Sequence, residues 1–143
     1  MKVTILGGGS GGAASAVELT LAGHEVCLWS RAAETLDPFR TAGGIAYDGV
    51  LGEGTVPVRL TNDMTMAIQG AEAAVVALPT YAHNAVARAL SAAQWPEDRP
   101  VILNPGHTGG AMEFTTSYQR TGATAPPIAA FSTLTYVARK YSP

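Results

Sequence analysis

Val3-Thr4-Ile5-Leu6-Gly7-Gly8-Gly9-Ser10-Gly11-Gly12 opens the chain as an apolar run that breaks into glycines. Gly7, Gly9 and Gly12 stand in the G-x-G-x-x-G register of a dinucleotide-binding turn. Each glycine answers a separate steric demand. The first lets the chain turn sharply off a strand, and the second lets backbone approach a pyrophosphate. The third lets the following helix pack closely on the sheet, so that its first N–H groups and its dipole face the phosphates. The pattern alone is weak, and its context makes it informative. Residues 2–6 read as a short buried strand, and residues 10–22 have helix composition with apolar Ala13, Ala16, Val17 and Leu21. Gly23-His24 closes that helix, and Glu25-Val26-Cys27-Leu28-Trp29 reads as a second strand. Strand, glycine turn, helix, tight turn and strand make one βαβ unit. A flexible glycine linker would not lie between two such periodic segments. Gly7, Gly9, Ser10, Gly11 and Gly12 are therefore candidate cofactor-binding residues.

After the second strand, residues 32–41 read as a short helix, with Asp37-Pro38 as a turn or kink. Glycines at 43, 44, 49, 52 and 54 punctuate residues 42–60, which predicts a β-hairpin or loop excursion rather than a helix. Thr61-Asn62-Asp63 is an N-cap cluster for a helix over 64–69, ended by Gly70. Residues 71–78 are almost continuously apolar, as a parallel strand covered on both faces should be. Pro79-Thr80 ends that strand, and residues 81–93 follow as a helix. Residues 100–104 form another buried strand stopped by Pro105-Gly106, then residues 110–120 are helical with Gly122 as C-cap. Residues 126–138 lean toward β structure. Strands alternating with helices predict a doubly wound parallel sheet, a Rossmann-like three-layer α/β domain with ligands at the carboxyl ends of the strands.

The bulk numbers fit one domain over residues 1–143 with enough chain to bury a core. A net charge of -2 and no lysine–arginine cluster argue against a nucleic-acid or acidic-membrane partner. Cys27 is the only cysteine, so a disulfide framework is excluded and nothing argues for an oxidising compartment. No two histidines stand at metal-ligand spacing, so no metal is expected. The first residues already read as strand and turn rather than as a leader or membrane span. A cytoplasmic location is expected.

The second strand ends in Leu28-Trp29-Ser30-Arg31. In this fold the residue about twenty positions past the glycines meets the adenosine ribose, and an acid there selects NAD by accepting from the 2′-hydroxyl. Here the place holds Ser30, a neutral donor, and Arg31, a planar cation suited to phosphate. That pair predicts NADP as cofactor. Glu34 is close enough to act on the ribose instead, which keeps NAD open. FAD is disfavoured by the same missing acid. Trp29 is expected to pack beside the adenine pocket or in the core.

Asn104-Pro105-Gly106-His107-Thr108-Gly109-Gly110-Ala111 is the second distinctive segment, a glycine-rich loop between a buried strand and a helix. Topology puts it at the ligand-bearing edge, with Asn104, Gly106, His107 and Thr108 toward a nicotinamide or substrate. Leu78, Pro79, Thr80 and His83 stand at the same edge. Together with the opening glycines, Ala77-Leu78-Pro79 plus His83 and Ile102-Leu103-Asn104-Pro105-Gly106, this loop makes the chain resemble the opine dehydrogenase family along essentially its whole length. The opening alone equally suits glycerol-3-phosphate dehydrogenases or ketopantoate reductases. The resemblance implies a cofactor domain of an enzyme that condenses an amino acid with a 2-oxo acid and reduces the imine with a nicotinamide dinucleotide. It also implies a second, helical domain bearing a histidine–aspartate pair and most of the amino-acid pocket. This chain stops at Lys140-Tyr141-Ser142-Pro143, about where that domain should begin, so the expectation is a cofactor half without the catalytic dyad.

The remaining residues have plainer roles. His24 is expected at the surface, opposite the cofactor edge. At a helix start, His83 is expected to be neutral and either to pack or to touch a ligand. His107 sits in the loop best placed for substrate, but the resemblance assigns it no catalytic role, and no catalytic residue is assigned in this chain. Three functions compete: an opine-type dehydrogenase, a reductase of a small 2-oxo acid or phosphorylated ketone, and a non-catalytic dinucleotide-binding module. If the chain is a fragment, residues 126–137 should leave apolar surface uncovered and cause self-association, a homo-oligomer included, or poor solubility.

Overall fold

The computed structural model describes residues 1–141. Period-two alternation explains how the central strands bury both faces. β1 (Lys2–Leu6) turns Val3 and Ile5 to one face and Leu6 to the other. β2 (Glu25–Trp29) divides Val26 and Leu28 from Cys27 and Trp29 in the same way. β6 (Ala73–Val76) sends Val75 one way and Ala74 and Val76 the other. On the first face, Ala13, Ala16 and Val17 of α1 (Ser10–Leu21) meet Val3, Ile5 and Leu28. On the second face lie Ala67 and Ile68 of α3 (Met64–Ile68), Val86, Ala87 and Leu90 of α4 (His83–Ala92), and Phe114 and Tyr118 of α5 (Gly110–Gln119). Full burial of each leucine, isoleucine or phenylalanine contributes roughly 1.5–3 kcal/mol, so the two apolar layers dominate stability.

Six parallel strands run in the order β5-β2-β1-β6-β7-β8, where β5 is Arg59–Thr61, β7 is Val101–Leu103 and β8 is Ile128–Ala130. β1 lies beside both β2, with Leu6 opposite Trp29, and β6, with Leu6 opposite Val76. The strand order reverses at that point. The doubly wound three-layer α/β fold expected from the sequence is the fold found.

Three local expectations change. The helix foreseen over 32–41 divides into a 3-10 turn at Ala33–Thr35 and α2 (Asp37–Thr41), with Pro38 in the first turn of α2. Proline has no N–H to give a preceding turn, so the helix restarts around it. The excursion at 42–60 contains the foreseen hairpin, β3 (Ile45–Tyr47) against β4 (Gly54–Val56), but the chain then enters the main sheet as β5. Thr61 therefore ends a strand, and the cap of α3 is Asp63, whose Oδ1 accepts from Met66 N–H at 2.9 Å. Of residues 126–138 only β8 is strand. Beyond it the chain runs irregularly back across the sheet's carboxyl edge.

Candidate dinucleotide site

The carboxyl ends of β1, β2 and β6 meet where the strand order reverses, the place at which this fold binds ligands. Gly7 leaves β1 by donating its N–H to the Trp29 carbonyl at 2.9 Å and takes φ +132°. A Cβ on Gly7 would lie 2.4 Å from the Ala77 carbonyl oxygen, and one on Gly12 would lie 1.7 Å from the Gly7 carbonyl oxygen. A Cβ on Gly9 would meet nothing within 4 Å. The outer glycines are thus demanded by the protein itself, and the middle one faces open space. The first helical hydrogen bond of α1 runs from Ala13 N–H to the Gly9 carbonyl at 2.9 Å. The N–H groups of Ser10, Gly11 and Gly12 precede it and lack a partner one turn back. Bare backbone, open space and a positive helix end fit a pyrophosphate.

At the ribose end, Ser30 is buried directly after β2, and its N–H donates to the Thr61 carbonyl at 3.2 Å. A Cβ on Gly8 would lie 3.1 Å from Ser30 Cβ, so the second strand's end and the glycine turn touch. Arg31 and Glu34 are both exposed on the following loop. Trp29 packs on the α3–α4–α5 face and donates its indole N–H to the Asn62 carbonyl at 3.1 Å, which places it in the core.

At the rim, Leu78 Cγ lies 2.9 Å from where a Gly7 Cβ would sit, and Pro79 precedes a 3-10 turn at Thr80–Ala82. His83 is fully buried. Its Nε2–H donates to the Leu78 carbonyl at 3.3 Å, its Nδ1 has no partner, and its ring stands edge-on to Phe114. Burial lowers its pKa below the ordinary histidine value, against the opposing pull of the Leu78 hydrogen bond and the Glu113 charge. His83 is thus a neutral ring bracing the Leu78 carbonyl from behind. Asn104 is also buried; its Nδ2 donates to Thr135 Oγ1 at 2.8 Å and its Oδ1 accepts from Thr135 N–H at 3.1 Å. Gly106 N–H donates to the Phe131 carbonyl at 2.8 Å, and a Cβ there would sit 2.5 Å from Ala130 Cβ. His107 and Thr108 remain exposed at the loop tip.

Residues 131–141 were not foreseen at the site. Leu134 lies against Gly11, with a methyl 2.9 Å from where a Cβ would stand. The Tyr136 hydroxyl donates to Glu18 of α1, and burial with that carboxylate pushes its pKa up to about 12. Lys140 N–H donates to Ser10 Oγ at 3.1 Å, and its ammonium donates to the Gly8 carbonyl at 3.1 Å. No spacing in the sequence signals these contacts, because they join residues more than 100 positions apart. Among the described residues no cluster of side chains suits a metal ion, and no helix is long and apolar enough to cross a membrane.

The N-terminal family model of NAD-dependent glycerol-3-phosphate dehydrogenase matches residues 2–118. The chain belongs to that family. As a nicotinamide-dinucleotide-binding domain, it is 33% identical to an opine dehydrogenase of Arthrobacter sp. (strain 1C) over 140 residues. That match takes in 97% of this chain and 39% of the relative. It is also 33% identical to a glycerol-3-phosphate dehydrogenase [NAD(P)+] of Enterococcus faecalis (strain ATCC 700802 / V583) over 105 residues, 72% of this chain and 30% of that one. An octopine dehydrogenase solved with NADH and agmatine shares the fold, with a TM-score of 0.78 at 22% identity over 97% of this chain and 36% of that chain. The domain therefore spans about two fifths of the length of its opine dehydrogenase relative. These relatives are oxidoreductases, as the resemblance implied.

Proposed function

We propose that this domain is the cofactor half of an opine-type dehydrogenase. The observation that carries the reading is extent: likeness to the opine dehydrogenase takes in 97% of the chain, whereas likeness to the glycerol-3-phosphate dehydrogenase of E. faecalis takes in 72%. A bound nicotinamide dinucleotide supplies hydride. The N–H groups of Ser10, Gly11 and Gly12 would hold its pyrophosphate, with Gly9 leaving room for it. Leu78, Pro79 and Thr80 line the nicotinamide side, their turn braced by His83, and the Asn104–Gly106 loop borders the substrate. The substrates on this reading are an amino acid and a 2-oxo acid joined with loss of water, and hydride from the dinucleotide would reduce the resulting imine. A second, helical domain outside this chain holds most of the amino-acid pocket and the proton-transfer pair. The family model favours a second reading, in which the same domain serves reduction of a phosphorylated ketone.

NADP is the preferred cofactor on this reading, since Ser30 and Arg31 stand where an NAD-selective acid would be. Titrating the chain and Arg31→Ala with NADPH and NADH tests it. The expected result is tighter NADPH binding in the parent and a loss of roughly tenfold in the variant, the size of one charge-assisted contact. Equal affinity for both cofactors in both proteins would remove the NADP preference and leave the dinucleotide site standing. Exposed Phe131, Val137 and Tyr141 add the expectation that the isolated domain self-associates.

A further inference from the structure

Lys140 lies far from the glycine turn in sequence and against it in space. Its ammonium is 3.1 Å from the Gly8 carbonyl oxygen and 4.3 Å above the centre of the Phe39 ring. Gly8 in turn borders Ser30: a Cβ on Gly8 would stand 3.1 Å from Ser30 Cβ and 2.9 Å from Thr35 Cγ2. The ammonium is therefore held between the glycine turn and α2, and the glycine turn borders the end of β2, the adenosine-ribose end of the cradle in this fold. Among the described residues no carboxylate pairs with it. The acids of that neighbourhood are Asp37, whose Oδ1 accepts from Arg40 at 2.8 Å, and exposed Glu34. A cation fixed by one carbonyl and one aromatic face keeps donor capacity for an anion.

We infer that Lys140 is a specificity-determining residue of the dinucleotide site, where its ammonium, together with Arg31, takes the 2′-phosphate of NADP. The inference rests on the dinucleotide reading above and adds a residue to it. Arg31 stands on the exposed loop after β2, and Lys140 reaches the glycine turn over Phe39. The Lys140 N–H on Ser10 Oγ and the Leu134 contact with Gly11 carry the chain to this position, while Asn104 anchors the segment at Thr135. Partial burial also lowers the lysine's pKa, as expected of an ammonium drawn toward the protein without a carboxylate.

The test is titration of Lys140→Met and Lys140→Arg with NADPH and with NADH. Methionine keeps an apolar stem over Phe39 and removes only the charge. The expected result is about tenfold weaker NADPH binding in Lys140→Met with NADH binding unchanged, and near-parental binding of both in Lys140→Arg. Unchanged NADH affinity also shows that Lys140→Met folds. Equal weakening of both cofactors would overturn the inference by moving Lys140 to the shared pyrophosphate or to the fold. Tightening of both would overturn it too, since the lysine would then be blocking the cradle. No change in either would leave Lys140 without a role. Failure of the parent chain to bind either cofactor would instead strike the dinucleotide reading, and the inference would fall with it.

Discussion

Two regions face each other across the carboxyl edge of the sheet, and they are built by opposite means. The turn at Gly7–Gly12 is set by hard contacts between backbone atoms, 1.7 Å and 2.4 Å for the side chains that Gly12 and Gly7 do not have. The crossing segment, residues 131–141, is set by a few polar contacts: Asn104 on Thr135, Tyr136 on Glu18, and Lys140 on Ser10 and Gly8. Nearly all of its residues are exposed. Steric exclusion tolerates no substitution, whereas exposed hydrogen bonds are individually replaceable. The rigid half is suited to present a constant surface to the pyrophosphate that every nicotinamide dinucleotide shares. The loosely held half is suited to discriminate among ligands or to move.

Breaking the rigid half should have the largest effect. Gly12→Ala puts a methyl into the Gly7 carbonyl with backbone on both sides, so nothing flexible can give way. Loss of about 3 kcal/mol or more is expected, the upper end for overpacking, and chemical denaturation would show it. A variant as stable as the parent would mean that the turn is not closed as described. The crossing segment should yield more cheaply. Asn104→Ala removes both hydrogen bonds to Thr135, and a cost of about 1–2 kcal/mol is expected, with residues 131–141 becoming the first site of limited proteolysis. Protection of that segment in the variant would show that Leu134 and Lys140 suffice to hold it.

The same contrast explains what the sequence disclosed. Gly7, Gly9 and Gly12 announce their turn because a side chain at either outer position collides, and no other residue solves that problem. The central strands were legible because burial on both faces demands unbroken apolar runs such as residues 73–77. β5 was not, since exposed Arg59 and half-buried Leu60 at the sheet edge lack such a run, and pairing with β2 makes the strand. His83 was legible as a neutral residue of the edge that packs or touches a ligand; the sequence does not choose between the two, because the packing partners Phe114 and Gly110 stand on α5. The Lys140 contacts had no local signature at all. Long-range polar contacts between exposed residues leave no periodicity to read.

The most direct measurement is NADH titration of the parent chain and Gly9→Val, with thermal unfolding of both. Valine at position 9 meets no protein atom within 4 Å at its Cβ, yet its side chain fills the space assigned to pyrophosphate. Saturable binding in the parent, binding lost in the variant, and nearly equal melting temperatures are expected if the glycine turn holds the dinucleotide. Undiminished NADH binding in a folded Gly9→Val variant would mean that the dinucleotide lies somewhere other than the glycine turn.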